Sequence, residues 1–320
     1  MDFSGALFLH RHYISALQGC FSSVKRLDLE LRMETFNSLF LFICSLTQLE
    51  VLALSCEALR DEIDAEPRLD LTLPTSLHTL YLNIVVFHGF CGDQFWAWLR
   101  GQTPMNNLRN LSILNCDSST GPEERVPTYI GLSNELTSLY LSIPTDDIDP
   151  LTYLGEEDAS EYEYDLSSLE SLETLSIHIP DSEVTASAPL PQLSVVLKRL
   201  TTTLKSISSI HLQKLNFIIG ENNLHQISAA EWDDLDNMLS SERFSLTQKE
   251  IFVPIVQRSM ANVKAALWRA RRPFSRCEGQ KRLVVTHLNR LEHDSLFFES
   301  SDARKAMRGS SSLHVIVVRH

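Results

Sequence analysis

Glycine is scarce, at 11 of 320 residues, and no G-x-x-x-x-G-K or G-x-G-x-x-G run occurs. A phosphate cradle built on a glycine-rich loop therefore has no support. H-E-x-x-H and G-x-S-x-G are missing too. Ser22-Ser-Val-Lys25 spells S-x-x-K without the S-D-N and K-T-G partners that motif needs. His10 and His12 stand two apart, which on a helix turns them to different sides and argues against a metal pair. The six cysteines (Cys20, Cys44, Cys56, Cys91, Cys116 and Cys277) are scattered and form no C-x-x-C. Neither a zinc ribbon nor a redox pair is indicated, and reduced, mostly buried thiols in a cytoplasmic or nuclear protein are expected.

Long apolar runs are lacking as well. No uninterrupted stretch reaches the length of a membrane span, and the N-terminus MDFSGALFLHRHY has neither the basic start nor the cleavage site of a secretory signal. Basic residues are outnumbered, 28 Lys and Arg against 41 Asp and Glu, for a net charge of −13. An acidic chain is a poor general partner for nucleic acid or anionic lipid. No membrane association, nucleic-acid partner or cofactor is expected.

What the sequence does have is leucine, 50 residues of it, in a chain that is 43% hydrophobic. Much of it falls in one recurring pattern, L-x-x-L-x-L: Val24-Lys-Arg-Leu27-Asp-Leu29, Leu49-Glu-Val-Leu52-Ala-Leu54, Leu77-His-Thr-Leu80-Tyr-Leu82 and Leu108-Arg-Asn-Leu111-Ser-Ile113. Leu136-Thr-Ser-Leu139-Tyr-Leu141, Leu172-Glu-Thr-Leu175-Ser-Ile177 and Leu212-Gln-Lys-Leu215-Asn-Phe217 continue it, at intervals of 25, 28, 31, 28, 36 and 40 residues. A single such match is cheap, since roughly five arise by chance in this composition. The weight lies in their mutual similarity: LHTLYL, LRNLSI, LTSLYL and LETLSI share a polar second position, a small polar third, and Tyr or Ser between the last two apolar residues.

Alternation of the last two apolar residues with polar ones is the strand period. A strand this short needs a neighbour stacked on it, and the residues between strands must carry the chain back to the same end. Such a crossover makes the strands parallel. Helical spacing is legible in the crossovers. Residues 34–48 are apolar at Phe36, Leu39, Phe40, Ile43 and Leu46; residues 93–100 carry Phe95, Trp96 and Leu99. Residues 191–206 are apolar at Val195, Val196, Leu197, Leu200 and Leu204, and residues 4–21 read the same way.

The pattern resembles the leucine-rich-repeat family in its long, irregular β-α form. With the late helix Glu231-Trp232-Asp-Asp-Leu235-Asp-Asn-Met238-Leu239 leading to Phe244-Ser-Leu246, it also resembles the divergent fungal F-box-like members of that family, over residues 20 to 250. The resemblance implies an α/β leucine-rich-repeat solenoid, a curved parallel sheet with helices on its convex side. It also implies a role as a ubiquitin-ligase receptor or a similar protein-binding scaffold. Two features depart from the family. The ninth repeat position, usually Asn or Cys, is Cys116 once but otherwise Arg32, Glu57, Val85, Pro144, Pro180 and Gly220, so the family's asparagine ladder is missing. The first repeat also begins at about residue 20, which leaves no room ahead of it for an F-box within this sequence. A cullin-ligase adaptor is thus an expected partner only if an F-box belongs ahead of these repeats.

The array is expected to span residues 1–251, with loops at 144–165 and 180–191, and to be followed by a basic cap or extension over 252–320. Residues 144–165 hold nine acidic and no basic residues, and 180–191 read PDSEVTASAPLP. From Arg258 onward, 13 Lys and Arg face 5 Asp and Glu, a net of +8, so the first 257 residues carry −21. Within that tail, residues 268–282 gather six basic side chains and two aromatics, readable as a solvated face or as a basic address. Leu313 to Val318 is a short strand candidate that could cap the sheet.

With no catalytic constellation, the candidate site is a surface. The positions flanking each fourth-position leucine are expected to point outward: Arg26 and Asp28, Val51 and Ala53, Thr79 and Tyr81, Asn110 and Ser112, Ser138 and Tyr140, Thr174 and Ser176, Lys214 and Asn216. A strip of Tyr, Ser, Thr and Asn is an adaptable binding face, with Tyr81 and Tyr140 as anchors. The expected function is a non-catalytic scaffold that binds a protein partner on the concave face. The alternative is an enzyme on an α/β framework with an unrecognised site. Clustered titratable groups in a pocket would favour the second.

Overall fold

In the computed structural model the described residues are 23–60, 70–88, 95, 97–99, 101–102, 105, 107–114, 133–142, 165–179, 192–219, 229–244, 247–254, 274, 276–277, 283–288 and 313–316. The expected helix at residues 4–21 and the two expected loops, apart from Asp165, lie outside them. The chain is α/β and divides into two compact units, residues 1–136 with 301–320, and residues 137–300. Each carries an open, all-parallel sheet.

The first unit holds β1 (Arg26–Thr35), α1 (Phe36–Cys44), β2 (Val51–Arg60), β3 (Thr79–His88), β4 (Asn110–Leu114) and, far along the chain, β10 (Leu313–Ile316). β1 to β4 pair in sequence order, and their leucines lie in register: Leu27 beside Leu52, Leu52 beside Leu80, Leu80 beside Leu111. The next core row is Leu29, Leu54, Leu82 and Ile113. All eight are buried, at 6% exposure or less. β10 pairs with the outer side of β1, Leu313 beside Leu27, so the expected capping strand sits ahead of the first repeat. On the leucine face, Phe40 of α1 and the helical residues Phe95, Trp98 and Leu99 meet Leu52, Leu80 and Leu82. Phe36, Phe40, Phe95 and Trp98 form one aromatic cluster, and the Trp98 indole N–H donates to Leu71 O at 2.6 Å. The helix expected over 34–48 begins only at Phe36, because β1 runs on through Glu34 and Thr35 in register with Leu59 and Arg60.

The second unit holds β5 (Ser138–Ser142), β6 (Thr174–Ile179), α2 (Gln192–Ser206), β7 (Lys214–Ile219), α3 (Ala229–Leu239), a 3-10 turn at Glu242–Phe244, β8 (Gln248–Pro254) and β9 (Leu283–Leu288). Again the strands pair in parallel and in order. The core row runs Leu139, Leu175, Leu215, Lys249, Leu283. An eighth repeat, Leu246-Thr-Gln-Lys249-Glu-Ile251, is thereby exposed, with lysine in the leucine position. The helices supply Val196, Leu197, Leu200 and Leu204 from α2 and Trp232, Leu235 and Leu239 from α3, all buried. Burying each such side chain contributes about 1.5–3 kcal/mol, an upper figure because a real unfolded chain already hides some apolar surface.

Backbone groups at the turns before the strands are satisfied by a stitch that recurs in both units. One carbonyl ahead of each strand accepts two amides of the next repeat: Lys25 O from Glu50 N (2.7 Å) and Val51 N (2.9 Å), Glu50 O from His78 and Thr79, His78 O from Arg109 and Asn110. In the second unit Thr137 O and Glu173 O do the same. Hydroxyls add a second thread. Ser76, Ser209 and Thr247 donate to the carbonyls of Leu49 (2.8 Å), Leu172 (2.8 Å) and Leu212 (3.2 Å), each the first leucine of the preceding repeat. This thread lies at the start of the strands, whereas the family's asparagine ladder belongs at their far end.

Candidate functional site

A strand alternates its side chains, so once the leucines face the helices the intervening residues share the other face. The register then sets them in rows. In the first unit one row is Arg26, Val51, Thr79 and Asn110, and the next is Asp28, Ala53, Tyr81 and Ser112. In the second unit Ser138, Thr174 and Lys214 continue to Gln248, while Tyr140, Ser176 and Asn216 continue to Glu250. The fold therefore brings the candidate residues together within each unit, spaced at about 4.8 Å from strand to strand.

Two of them are not outward-facing surface. Ala53 is 5% exposed and Tyr140 only 6%, whereas the others are half-buried. The Tyr140 ring lies 6.4 Å from that of His178, a residue two positions along the neighbouring strand on the same side. Alternation assigns a side to a residue but not its depth, and this is why the expectation of a wet Tyr140 fails.

The rows are held by short polar contacts. Asn110 Nδ2 donates to Thr79 Oγ1 (3.0 Å), and Asn216 Nδ2 donates to Ser176 Oγ (2.9 Å). One row farther on, Asn83 Nδ2 donates to Ser55 Oγ (3.3 Å). In the Asn83 and Asn216 pairs the amide oxygen is buried without a hydrogen-bond partner. Arg26 Nε pairs with Asp28 Oδ2 at 3.0 Å along one strand, and Lys214 Nζ with Glu250 Oε2 at 2.9 Å across two. Partly exposed pairs of this kind contribute up to about 1 kcal/mol each. Each brings opposite charges together on the described face. Asn83, His178, Gln248 and Glu250 escaped the sequence reading. For Asn83 and His178 the signal was parity, two residues beyond a residue already chosen; for Gln248 and Glu250 it was hidden by Lys249.

Among the described residues no group of three or more His, Cys, Asp and Glu is placed to hold a metal ion. No described helix is long and apolar enough to cross a membrane. Cys44 and Cys277 both have thiols pushed up to about 12 by burial, with Asp236 adding to the rise at Cys277, which keeps them protonated and weakly nucleophilic. Neither a family model, nor a curated protein, nor a solved structure matches this chain.

Proposed function

We propose that the chain is a leucine-rich-repeat solenoid acting as a non-catalytic scaffold, and that it binds a protein partner on the polar face of its strands. The observation that carries this reading is the pair of in-register rows in each unit, where Thr79, Tyr81, Asn110 and Ser112, and Thr174, Ser176, Lys214 and Asn216, stand half-buried side by side. Aromatic and small polar side chains supply contact area and adaptable hydrogen bonds at low entropic cost. The more specific form of the proposal is a substrate receptor of the F-box-like kind.

Affinity capture with mass spectrometry tests it, comparing the wild type with Tyr81→Ala and with Lys214→Ala. Both side chains are half-buried, so neither change should shift stability by more than about 1 kcal/mol. Specific partners are expected to be lost while the thermal transition stays. Partners retained in full by both variants reject the strand face as the binding surface. Tyr140 is unsuitable as a probe, because removing a buried ring costs about 3–5 kcal/mol and would confuse binding with folding.

A further inference from the structure

The strongest feature outside the strand face is a set of buried ionisable groups in the second unit. Lys249 holds the register position that is leucine in the strands on either side, Leu215 and Leu283. It is fully buried, and its ammonium donates to Phe244 O at 2.7 Å. Asp236, on α3, is also at 0% exposure. Its carboxylate accepts two backbone N–H groups from a separate segment, Arg276 N on Oδ2 at 2.9 Å and Cys277 N on Oδ1 at 3.1 Å. The charges of Asp236 and Lys249 both act on the Cys277 thiol, which places all three groups in one neighbourhood.

Three further contacts hold the same segment to α3. The Phe274 ring, at 0% exposure, stands edge-on to Trp232 with centroids 5.1 Å apart. Arg276 reaches the Asp233 carboxylate at 3.8 Å and the Asp233 carbonyl at 3.5 Å. Residues 274–277 lie inside the basic stretch 268–282 and shortly before β9. A buried carboxylate is tolerable only while its hydrogen bonds are made. Those bonds come from a segment far along the chain and not from α3 itself. Seating of the segment and burial of Asp236 are therefore one event.

We propose that Phe274, Arg276 and Cys277 form a clasp whose catch is Asp236, and that this clasp secures β9 against β8. It releases as a separate cooperative step while β5, β6 and β7 stay folded. Energetic separation of this kind is usual when one strand of a sheet depends on a local contact set that its neighbours do not share. The closed clasp keeps the middle of the basic stretch fixed to α3, and release frees it.

The peptide bond after Arg276 gives a direct reading, since trypsin cleaves after arginine and this bond is inside the clasp. Asp236→Asn removes the charge and one strong acceptor. A buried amide is then left unmet, and cleavage at Arg276 should rise about 5- to 150-fold, the equivalent of about 1–3 kcal/mol. Hydrogen exchange should quicken in β9 (Leu283–Leu288) and stay as in the wild type in β6 (Thr174–Ile179) and β7 (Lys214–Ile219). If β6 and β7 lose protection as much as β9, the cluster is ordinary core and the proposal fails. Unchanged cleavage at Arg276 also overturns it. Phe274→Leu, which loosens the Trp232 contact and leaves Asp236 intact, should give the same pattern at several-fold size, and it decides the matter if Asp236→Asn does not fold.

Discussion

Leu175 sits at 0% exposure in the middle strand of three, with Leu139 in register on one side and Leu215 on the other. Leu175→Ala removes three heavy atoms from a place where neither neighbour can slide across, because each is fixed by its own strand. Leucine-to-alanine changes in cores cost about 2–5 kcal/mol, and poor collapse puts this one near about 3. Leu215→Ala should cost a similar amount. The double change is then the informative one. Leu175 and Leu215 touch across one strand spacing of about 4.8 Å, so their mutual contact is counted in both single costs. The pair should therefore fall short of additivity by about 1 kcal/mol. Leu139 and Leu215 are two spacings apart, about 10 Å, and their double change should add to within about 0.5 kcal/mol. Urea unfolding followed by hydrogen exchange at the β6 and β7 amides measures both cycles. A Leu175→Ala cost below about 1 kcal/mol would refute the core assignment. Coupling between Leu139 and Leu215 as large as that between Leu175 and Leu215 would refute nearest-neighbour stacking.

Ser209→Ala should cost about 1 kcal/mol, since its hydroxyl serves the carbonyls of Glu170 (2.9 Å) and Leu172 (2.8 Å) from a half-buried position, and thermal unfolding checks it. Cys44 and Cys277 should both resist a thiol reagent at pH 9 in the folded protein and react at once in denaturant. The linked effect on stability has a definite sign. Each folded thiol holds its proton up to about 12 while the unfolded thiol loses it near 9.0, so this contribution is constant below pH 9 and falls as pH rises from 9 to 12. A stability curve that rises over that interval in the wild type and flattens in Cys44→Ala would contradict it.

The leucine rows were legible because each repeat spells the same apolar spacing, and the structure puts Leu27, Leu52, Leu80 and Leu111 in adjacent positions as that spacing requires. The eighth repeat was hidden by one residue. Lys249 breaks the apolar pattern, yet its four methylenes fill the leucine site and its ammonium finds a carbonyl, an outcome that depends on where Phe244 turns and not on local spelling. The ends of the long strands were illegible for a related reason: β1 keeps pairing with β2 through Thr35, past the point where L-x-x-L-x-L ends. On the strand face, periodicity assigns Thr79, Asn110, Ser176 and Asn216 to the side away from the leucines, and the register sets Thr79 beside Asn110 and Ser176 beside Asn216. It had no means of ranking depth, so Tyr81 and Tyr140 looked alike when one is half-buried and the other is 6% exposed. Asp236 gave no signal at all, because its partners are backbone amides some 40 positions later.

The stitch between repeats uses only main-chain atoms. Lys25, Glu50, His78, Thr137 and Glu173 occupy its accepting positions, five residues of which two are acidic, one basic, one an imidazole and one a hydroxyl. Their side chains are not what the junction reads. Any residue supplies the accepting carbonyl, but proline is barred wherever the amide also donates, at Glu50, Val51, His78, Thr79, Arg109 and Asn110 among others, because it has no N–H to give; Glu50 and His78 do both. Apart from the hydroxyls of Ser76, Ser209 and Thr247 and the Lys25–Glu50 ion pair, the charge and shape of these junctions could be redrawn residue by residue within each unit while the main-chain stitch holds.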